Sequence, residues 1–239
     1  MSNRDILVKG LEQLGISVDT KKLEKLLLFK DALLEWNEKI NLTAITDERE
    51  IFIKHFLDSA TCLSSGIIKP GSKAIDIGTG AGFPGMVMKI LRDDINMTLL
   101  DSLNKRVIYL EDTAKKLALN QTEIIHGRAE EFGIKEGYRE KFDIALSRAV
   151  APLNVLAEYC LPYVKKEGYF LCQKGPTYRD EMEEAGNAIE LLGGSIDNIE
   201  EHLLPYSDIT HYILVIKKAK NTPTKYPRKP GKPAANPIK

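Results

Sequence analysis

Residues 1–65 show apolar positions that recur with the period of a helix. They include Leu23, Leu26, Leu27, Phe29, Leu33, Leu34 and Trp36. Side chains spaced in this way lie on one face of a helix. A second stretch, TDEREIFIKHFLDS, begins with two possible helix caps, Thr46 and Asp47, and has acidic residues in its first turn. We therefore predict an N-terminal helical extension over residues 1–65.

From Lys73 onward the pattern changes to short apolar runs that alternate with helical stretches. The strand candidates are KAIDIG, NMTLLD, TEIIHG, FDIALS, YFLCQK and YILVIKK. Helical stretches such as NKRVIYLEDTAKKLA separate the first five, which predicts a mostly parallel sheet with helices on both faces. Between Gly193 and Lys218 the connection PYSDIT is too short for a helical crossover, so we expect an antiparallel hairpin at the sheet edge. Residues 66–220 are thus predicted to form an α/β domain.

The last residues differ in composition from the rest of the chain. Lys and Arg total 34, as do Asp and Glu, so bulk charge indicates neither a nucleic-acid nor a membrane partner. Residues 222–239, however, carry five basic residues, five prolines and no acid. We predict that residues 221–239 are an extended or disordered basic tail, whose cations could add non-specific affinity for nucleic-acid phosphates.

Cysteine and histidine positions indicate no metal site. Cys62, Cys160 and Cys172 are scattered without a C-x-x-C pair, and the four histidines do not complete a ligand set with them. Buried free thiols in a reducing compartment are expected instead. The start, MSNRDILVKG, is charged, and no apolar run is long enough to span a bilayer. We expect a monomeric cytoplasmic protein with no metal and no membrane partner.

The string AIDIGTGAGFPG, residues 74–85, is a glycine loop with two possible registers. Counted from Gly80 it satisfies G-x-G-x-x-G, and Asp101 follows 21 residues later, as a dinucleotide site requires. That register places Asp76 and Gly78 inside the first strand, where an interior glycine is costly. Counted from Asp76, the loop is D-x-G-x-G-x-G, and the glycines, which include Gly82, allow close approach of a ligand. A purely structural turn is a third reading.

The second register resembles the first motif of class I S-adenosylmethionine-dependent methyltransferases, and the hairpin ending resembles their seventh, antiparallel strand. The resemblance implies a Rossmann-like sheet with S-adenosylmethionine as cofactor. That ligand has no pyrophosphate, and a carboxylate such as Asp76 can lie near its ammonium group. Asp101, at the end of the second strand, could accept hydrogen bonds from the two ribose hydroxyls.

A narrower resemblance is carried by strings spread from Trp36 to Leu153: WNEKINLTAIT, KHFLDS, DIGTGAGFPG, LLDSLNKR, GRAEE and SRAVAPL, with LCQKG following in the fifth strand. In order and spacing they resemble the 16S rRNA guanine-N7 methyltransferase family known as RsmG or GidB. The resemblance implies methylation of guanine N7, with 16S ribosomal RNA or the small ribosomal subunit as partner. It does not extend beyond Lys220.

Several site residues are implied by the family pattern. Gly78 and Phe83 would line the cofactor pocket, Ala129 and Glu130 would meet the adenine, and Arg148 would lie beside the reactive centre. Each residue also allows a simpler role. Glu130 could be a solvated acid at a helix start, and Arg148 could form an ordinary ion pair.

Three further residues are candidates for substrate binding. Lys54 and His55 share a helix that could face the site, although a surface lysine and a half-buried histidine explain them equally well. Lys174 ends the fifth strand and could bind a substrate phosphate.

The type of methyl transfer can be narrowed by exclusion. Enzymes that methylate the adenine amine usually carry Asn or Asp followed by Pro-Pro and an aromatic residue after the fourth strand, where this chain has SRAVAPL. Methylation of cytosine C5 needs an activated thiol, and neither Cys160 nor Cys172 is in a suitable setting. Guanine N7 has an available lone pair, so alignment and desolvation suffice, and Arg148 could select the guanine O6 edge.

Two other functions are also compatible with the sequence. A methyltransferase acting on a small molecule would need no basic tail. A catalytically inactive RNA-binding or division-associated factor would bind ligand without turnover, but the intact glycines at 78, 80 and 82 argue against that loss.

Overall fold

A mixed sheet of seven strands forms the centre of the molecule. The computed structural model describes residues 1–148 and 151–239, so two positions of the SRAVAPL string lie outside the described residues. The strands are β1 Lys73–Ile77, β2 Asn96–Asp101, β3 Thr122–His126, β4 Phe142–Arg148, β5 Val164–Lys174, β6 Gly194–Leu203 and β7 Thr210–Lys218. Their spatial order is β3-β2-β1-β4-β5-β7-β6. A topological switch point lies between β1 and β4, because β2 and β3 follow on one side of β1 while β4 and β5 lie on the other. Open α/β sheets bind ligands at such a point.

The predicted parallel sheet and antiparallel hairpin are both confirmed. Strands β1 to β5 pair in parallel, and β7 runs antiparallel to β5 and β6. Within the hairpin, β7 lies between β5 and β6. The antiparallel strand is therefore β7, and the strand at the edge of the sheet is β6. The predicted strand strings omit β6 because most of its side chains face solvent and its sequence, GSIDNIEEHL, is correspondingly polar.

Helices cover both faces of the sheet. They are α1 Asn3–Gln13, α2 Thr20–Ile40, α3 Glu48–Ile51, α4 Asp58–Ala60, α5 Gly85–Leu91, α6 Asn104–Lys116, α7 Ala129–Phe132, α8 Leu153–Cys160, α9 Tyr178–Leu191 and α10 Lys232–Ala235. A π-helical turn, Phe52–Leu57, joins α3 to α4. Among the described residues, no helix combines the length and apolar character needed to cross a bilayer.

The N-terminal helices share a hydrophobic core with one face of the sheet. Leu7, Phe29 and Phe56 are fully buried in the same cluster as Val87 of α5 and Leu99 of β2. A second cluster lies on the opposite face, under α8 and α9. The boundary at residue 65 therefore stays a prediction from the sequence, since packing continues across it.

Capping explains where the N-terminal helices begin. Asp19 accepts a hydrogen bond from the Lys22 backbone N–H at 2.7 Å, and Asp47 accepts one from the Glu50 N–H at 2.9 Å. Each carboxylate satisfies a backbone donor that the first helical turn leaves unpaired. Of the two caps predicted from sequence, the structure thus uses Asp47.

The C-terminal residues 222–239, here called the C-terminal strap, are docked on the α/β domain. The prediction of a disordered tail is wrong for this segment, because Thr222, Tyr226 and Pro227 are buried. Arg228 donates from its backbone and guanidinium to Glu158, which is fully buried in α8. A buried carboxylate requires a partner of this kind. The other four strap cations are exposed, and their contact with nucleic acid stays a prediction.

Candidate functional site

The glycine loop follows β1 and is shaped by backbone conformations that favour glycine. Gly78, Gly80 and Gly82 have φ values of 71°, 59° and 91°. These angles are costly for residues with a Cβ atom. Asp101 Oδ2 accepts a hydrogen bond from the Gly80 N–H at 2.9 Å, and Oδ1 accepts one from the Leu103 N–H at 2.8 Å. The carboxylate at the end of β2 therefore holds the loop in place.

Asp76 lies in β1 beneath the loop and is completely buried. Its Oδ2 accepts hydrogen bonds from Thr79 Oγ1 at 2.7 Å and from the Gly85 N–H at 2.9 Å. Its Oδ1 is buried without a hydrogen-bond partner among the residues that the structure describes. Burial raises the pKa of Asp76 to about 6. A carboxylate oxygen with unused capacity, beneath a loop in which Gly78 and Gly80 are partly exposed, fits a ligand with a positively charged group such as S-adenosylmethionine.

The raised pKa of Asp76 predicts how cofactor affinity depends on pH. The ionised carboxylate attracts a cation and the protonated form does not, so affinity is expected to fall as pH drops through about 6. Arg148 favours the ionised form of Asp76 and Asp101 opposes it. Calorimetric titration with S-adenosylmethionine between about pH 5 and 8 measures the change, which cannot exceed about tenfold per pH unit for one group. In Asp76→Asn, weaker binding without this pH dependence is expected, and a pH-independent affinity in the unsubstituted protein would contradict the role.

Ala129 and Glu130 begin α7, directly after β3. β2 and β3 pair in parallel with Asp101 opposite His126, so α7 begins at the same sheet edge as Asp101. Glu130 is 5% exposed, and its Oε1 accepts a hydrogen bond from the Gly231 N–H of the C-terminal strap at 2.8 Å. Glu130 is therefore not a solvated helix-start acid. Contact of Ala129 and Glu130 with adenine stays a prediction.

Arg148, the last residue of β4, is held by a buried carboxylate from the N-terminal extension. Arg148 Nη1 donates to Asp58 Oδ2 at 2.7 Å and to the Lys54 carbonyl at 3.2 Å. The other oxygen, Asp58 Oδ1, lies 2.6 Å from Nδ1 of His211 in β7. Asp58 is 1% exposed, so a single buried carboxylate joins the Arg148 guanidinium of β4 to the His211 imidazole of β7.

Electrostatics around Asp58 favour a charged cluster. Burial alone would raise the pKa of Asp58, but donation from His211 and Arg148 outweighs it and lowers the pKa below its usual value. The same hydrogen bond from His211 to Asp58 raises the pKa of His211, although partial burial opposes the shift. The cluster therefore combines the Arg148 guanidinium with a histidine that protonates more readily than usual.

His55 and Phe83 complete the wall beside Arg148. The two rings stack with centroids 4.6 Å apart, and the Arg148 guanidinium carbon lies 5.0 Å from the Phe83 ring centroid. Burial and the Arg148 charge lower the pKa of His55 to about 4, so its ring is neutral near pH 7. Nδ1 of His55 lies 3.1 Å from the Lys54 carbonyl oxygen and 3.3 Å from Arg148 Nη2, and Nε2 lies 2.8 Å from Thr43 Oγ1. Nδ1 donates to the carbonyl in one neutral tautomer and accepts from Arg148 in the other.

The structure places the two lysine candidates in ion pairs. Lys54 contacts Glu50 on the helix surface. Lys174 Nζ donates to Glu181 Oε2 at 2.6 Å and to the Ala151 carbonyl at 2.9 Å. Acidic partners already balance both charges, so binding of substrate by either lysine stays a prediction.

A groove of about 660 Å³ lies at the carboxyl ends of β4 and β5. Its lining includes Arg148, Gln173, Lys174 and His211. The exposed part of the Asp58 cluster therefore faces a space large enough for a substrate base.

Sequence reasoning missed three side chains of this site: Asp58, His211 and Gln173. Gln173 Nε2 donates to the Asp58 carbonyl at 2.8 Å, which fixes the backbone of α4 against β5. Asp58 lies within the string KHFLDS, so its position in a motif was an available signal. His211 gives no such signal, because it is 153 residues from Asp58 along the chain.

Comparison with known proteins places the chain in one family. A family model described as GidB, rRNA small subunit methyltransferase G, matches residues 22–208. The chain is 54% identical over 239 residues, all of both chains, to ribosomal RNA small subunit methyltransferase G of Alkaliphilus metalliredigens. It is 48% identical over 231 residues, 96% of each chain, to the protein of that name from Thermoanaerobacter pseudethanolicus.

Solved structures support the fold. A Methanococcus jannaschii fibrillarin pre-rRNA processing protein superimposes with a TM-score of 0.51 at 19% identity, over 64% of this chain and 70% of its own. MtNAS in complex with MTA and tNA gives a TM-score of 0.55 at 14% identity, over 81% of this chain and 71% of its own. At these identities the likeness concerns the fold alone. From the family model and the full-length relatives, the chain belongs to the rRNA small subunit methyltransferase G family.

Proposed function

We propose that this chain transfers a methyl group from S-adenosylmethionine to N7 of a guanine in 16S ribosomal RNA. Family membership makes it an S-adenosylmethionine-dependent methyltransferase of small-subunit ribosomal RNA, and the proposal adds the base, the atom and the residue roles. The observation that carries it is the position of Arg148, held by Asp58 and Phe83 at the edge of a groove. A fixed guanidinium at this place suits the O6 acceptor of guanine.

Methyl transfer to N7 requires the protein mainly to position the guanine and the methyl donor. Bound S-adenosylmethionine supplies an electrophilic methyl group on its sulfonium. The N7 lone pair forms the new bond to carbon while the carbon–sulfur bond breaks, and no proton is removed. We assign to Arg148 the orientation of guanine through O6, to Asp76 and Asp101 the cofactor's ammonium and ribose groups, and to the Gly78–Gly82 loop close approach to the cofactor.

The state of the cysteines argues against attack by a thiolate. Cys62, Cys160 and Cys172 are free and buried, as the sequence predicts. Burial raises the pKa of Cys172 to about 12 and raises the pKa of Cys62 and Cys160 well above the usual value. A thiol nucleophile must be ionised and accessible. Cytosine C5 chemistry is therefore not supported.

Further parts of the proposal concern context. We place the reaction in the cytoplasm, on 16S RNA or the small subunit, with the protein acting as a monomer. A small-molecule methyltransferase would modify metabolites in the absence of RNA, and an inactive factor would bind cofactor without product. Both alternatives are distinguishable by assaying methyl transfer with and without 16S RNA.

The test of the proposal is the identity of the methylated atom. Methylation at N7 leaves a positive charge on guanine, so borohydride followed by aniline is expected to cleave the modified RNA at one base. Single-turnover rates with saturating cofactor and RNA are expected to vary by much less than tenfold per pH unit between about pH 7 and 9, since no group must lose a proton to activate N7. RNA that resists cleavage, or a rate that rises tenfold per pH unit, would require a different nucleophile.

A further inference from the structure

The C-terminal strap is attached to the α/β domain at both its beginning and its middle. At its beginning, Thr222 Oγ1 accepts a hydrogen bond from the buried Lys218 Nζ at 2.8 Å, and the Thr222 N–H donates to Glu140 Oε1 at 2.8 Å. Arg139 then donates to the carbonyls of Thr222 and Tyr226, both at 2.7 Å. The beginning of the strap is therefore held by hydrogen bonds that link domain side chains to its backbone and to the Thr222 hydroxyl.

The middle of the strap is held by one ion pair. Glu158 is fully buried, and both of its carboxylate oxygens accept hydrogen bonds from Arg228, at distances from 2.6 to 3.0 Å. Of the five strap cations, only Arg228 is partly buried. Fork-like geometry of this kind fixes direction as well as distance.

Three residues after Arg228, the strap reaches a predicted cofactor residue. The Gly231 N–H donates to Glu130 Oε1 at 2.8 Å, and Gly231 has a φ of 81°, which a residue with a side chain rarely adopts. Glu130 Oε2 accepts no hydrogen bond from the residues that the structure describes. One carboxylate oxygen is thus fixed by the strap, and the other remains able to accept a hydrogen bond from a ligand amine.

From this arrangement we propose that the C-terminal strap is part of the cofactor site and that Arg228 is a positioning residue for adenine recognition. Docking of Arg228 on Glu158 places the Gly231 N–H on Glu130, and Glu130 then accepts a hydrogen bond from the adenine amino group through Oε2. This inference rests on the proposed function, because it uses adenine as the ligand of Glu130. It adds a segment that lies beyond the residues matched by the family model, which end at 208.

The experiment compares two stable ligands that differ at the adenine amino group, S-adenosylhomocysteine and S-inosylhomocysteine. Inosine carries an oxygen where adenosine carries the amino group. A carboxylate that accepts a hydrogen bond from the amino group therefore binds the inosyl ligand more weakly. Dissociation constants for both ligands are measured on the full chain, Arg228→Ala, Arg228→Lys and the exposed neighbour Lys229→Ala. The ratio of the two constants is taken within each preparation, so an unfolded fraction cancels. Trypsin cleavage after Lys225 reports release of the strap.

We expect the unsubstituted chain to prefer the adenosyl ligand by about tenfold or more, as for a hydrogen bond to a charged group. In Arg228→Ala the preference is expected to fall at least threefold while cleavage after Lys225 becomes faster. The preference of Arg228→Lys should lie between that of the unsubstituted chain and that of Arg228→Ala. Lys229→Ala should keep the full preference. Glu130→Gln should reduce the preference to the same value with or without Arg228.

Three results would overturn the inference. The first is an unchanged preference in Arg228→Ala despite release of the strap. The second is tighter binding of the adenosyl ligand after release, which would make the strap a competitor for Glu130. The third is an unsubstituted chain that binds both ligands equally. These results leave the methyltransferase proposal standing, whereas failure of the unsubstituted chain to bind S-adenosylhomocysteine would refute the cofactor site itself.

Discussion

Replacing Asp58 by asparagine is expected to slow methyl transfer by about two orders of magnitude, the loss that a displacement of about 1 Å in a positioned group can cause. An asparagine has one acceptor oxygen and no charge, so it cannot accept hydrogen bonds from both Arg148 and His211, and the ion pair that holds the Arg148 guanidinium is lost. Because Arg148 is the residue assigned to guanine, its displacement affects the bound substrate directly. Affinity for S-adenosylmethionine should change little.

Single-turnover kinetics at saturating cofactor and 16S RNA measure this effect. Asp112→Asn is the matched control. Asp112 lies on α6 and pairs with Trp36 of α2 and with Lys116, so this substitution should leave the rate unchanged. In Asp58→Asn, NMR titration should show a lower pKa for His211, because the carboxylate that raises it is gone. The double variant Asp58→Asn/Arg148→Ala should be no slower than Arg148→Ala alone. Multiplicative losses would show that Asp58 acts independently of Arg148.

The second large effect concerns stability. Arg228→Ala should lower the free energy of unfolding by about 3–5 kcal/mol, because it leaves the buried Glu158 carboxylate without its cation. Deletion of residues 222–239 removes the same partner and should cost at least as much. The segment that the sequence predicts to be a disordered basic tail therefore has a structural role.

Urea unfolding of the full chain and its variants checks this prediction. Lys229→Ala, one residue away and exposed, should change the free energy of unfolding by less than about 0.5 kcal/mol. The double variant Arg228→Ala/Glu158→Gln should recover part of the loss, because the buried group is then neutral. An equal loss in Arg228→Ala and Lys229→Ala would mean that Glu158 is solvated when the strap is present.

Local sequence signals predicted the parts of the fold that local forces determine. Apolar runs identified the buried strands, and the D-x-G-x-G-x-G register identified a loop whose three glycines all have positive φ. The hairpin was predictable because PYSDIT is too short to cross the sheet. β6 was not predicted as a strand because an edge strand needs few apolar residues.

The site could be predicted only where a motif carried the residue. Arg148 and Glu130 came from the family pattern, but their partners Asp58 and Gly231 are 90 and 101 residues away from them along the chain. No periodicity reports contacts at such separations. Besides the motif position of Asp58, a second signal was available. Glu158 falls within LNVLAEYC, a mostly apolar helical stretch, and a buried carboxylate there requires a cation from elsewhere.

The position of β7 between β5 and β6 sets an order of events during synthesis. β6 leaves the ribosome before β7. Among the described residues it pairs with β7 alone, so it has no partner in the sheet until Thr210–Lys218 has followed. The same strand brings His211 to Asp58, and Arg228 follows it. Chains fold from the N-terminus as they emerge. A nascent chain therefore carries the glycine loop before β7 has been made, and the contact between His211 and Asp58 forms only after Thr210–Lys218 has followed.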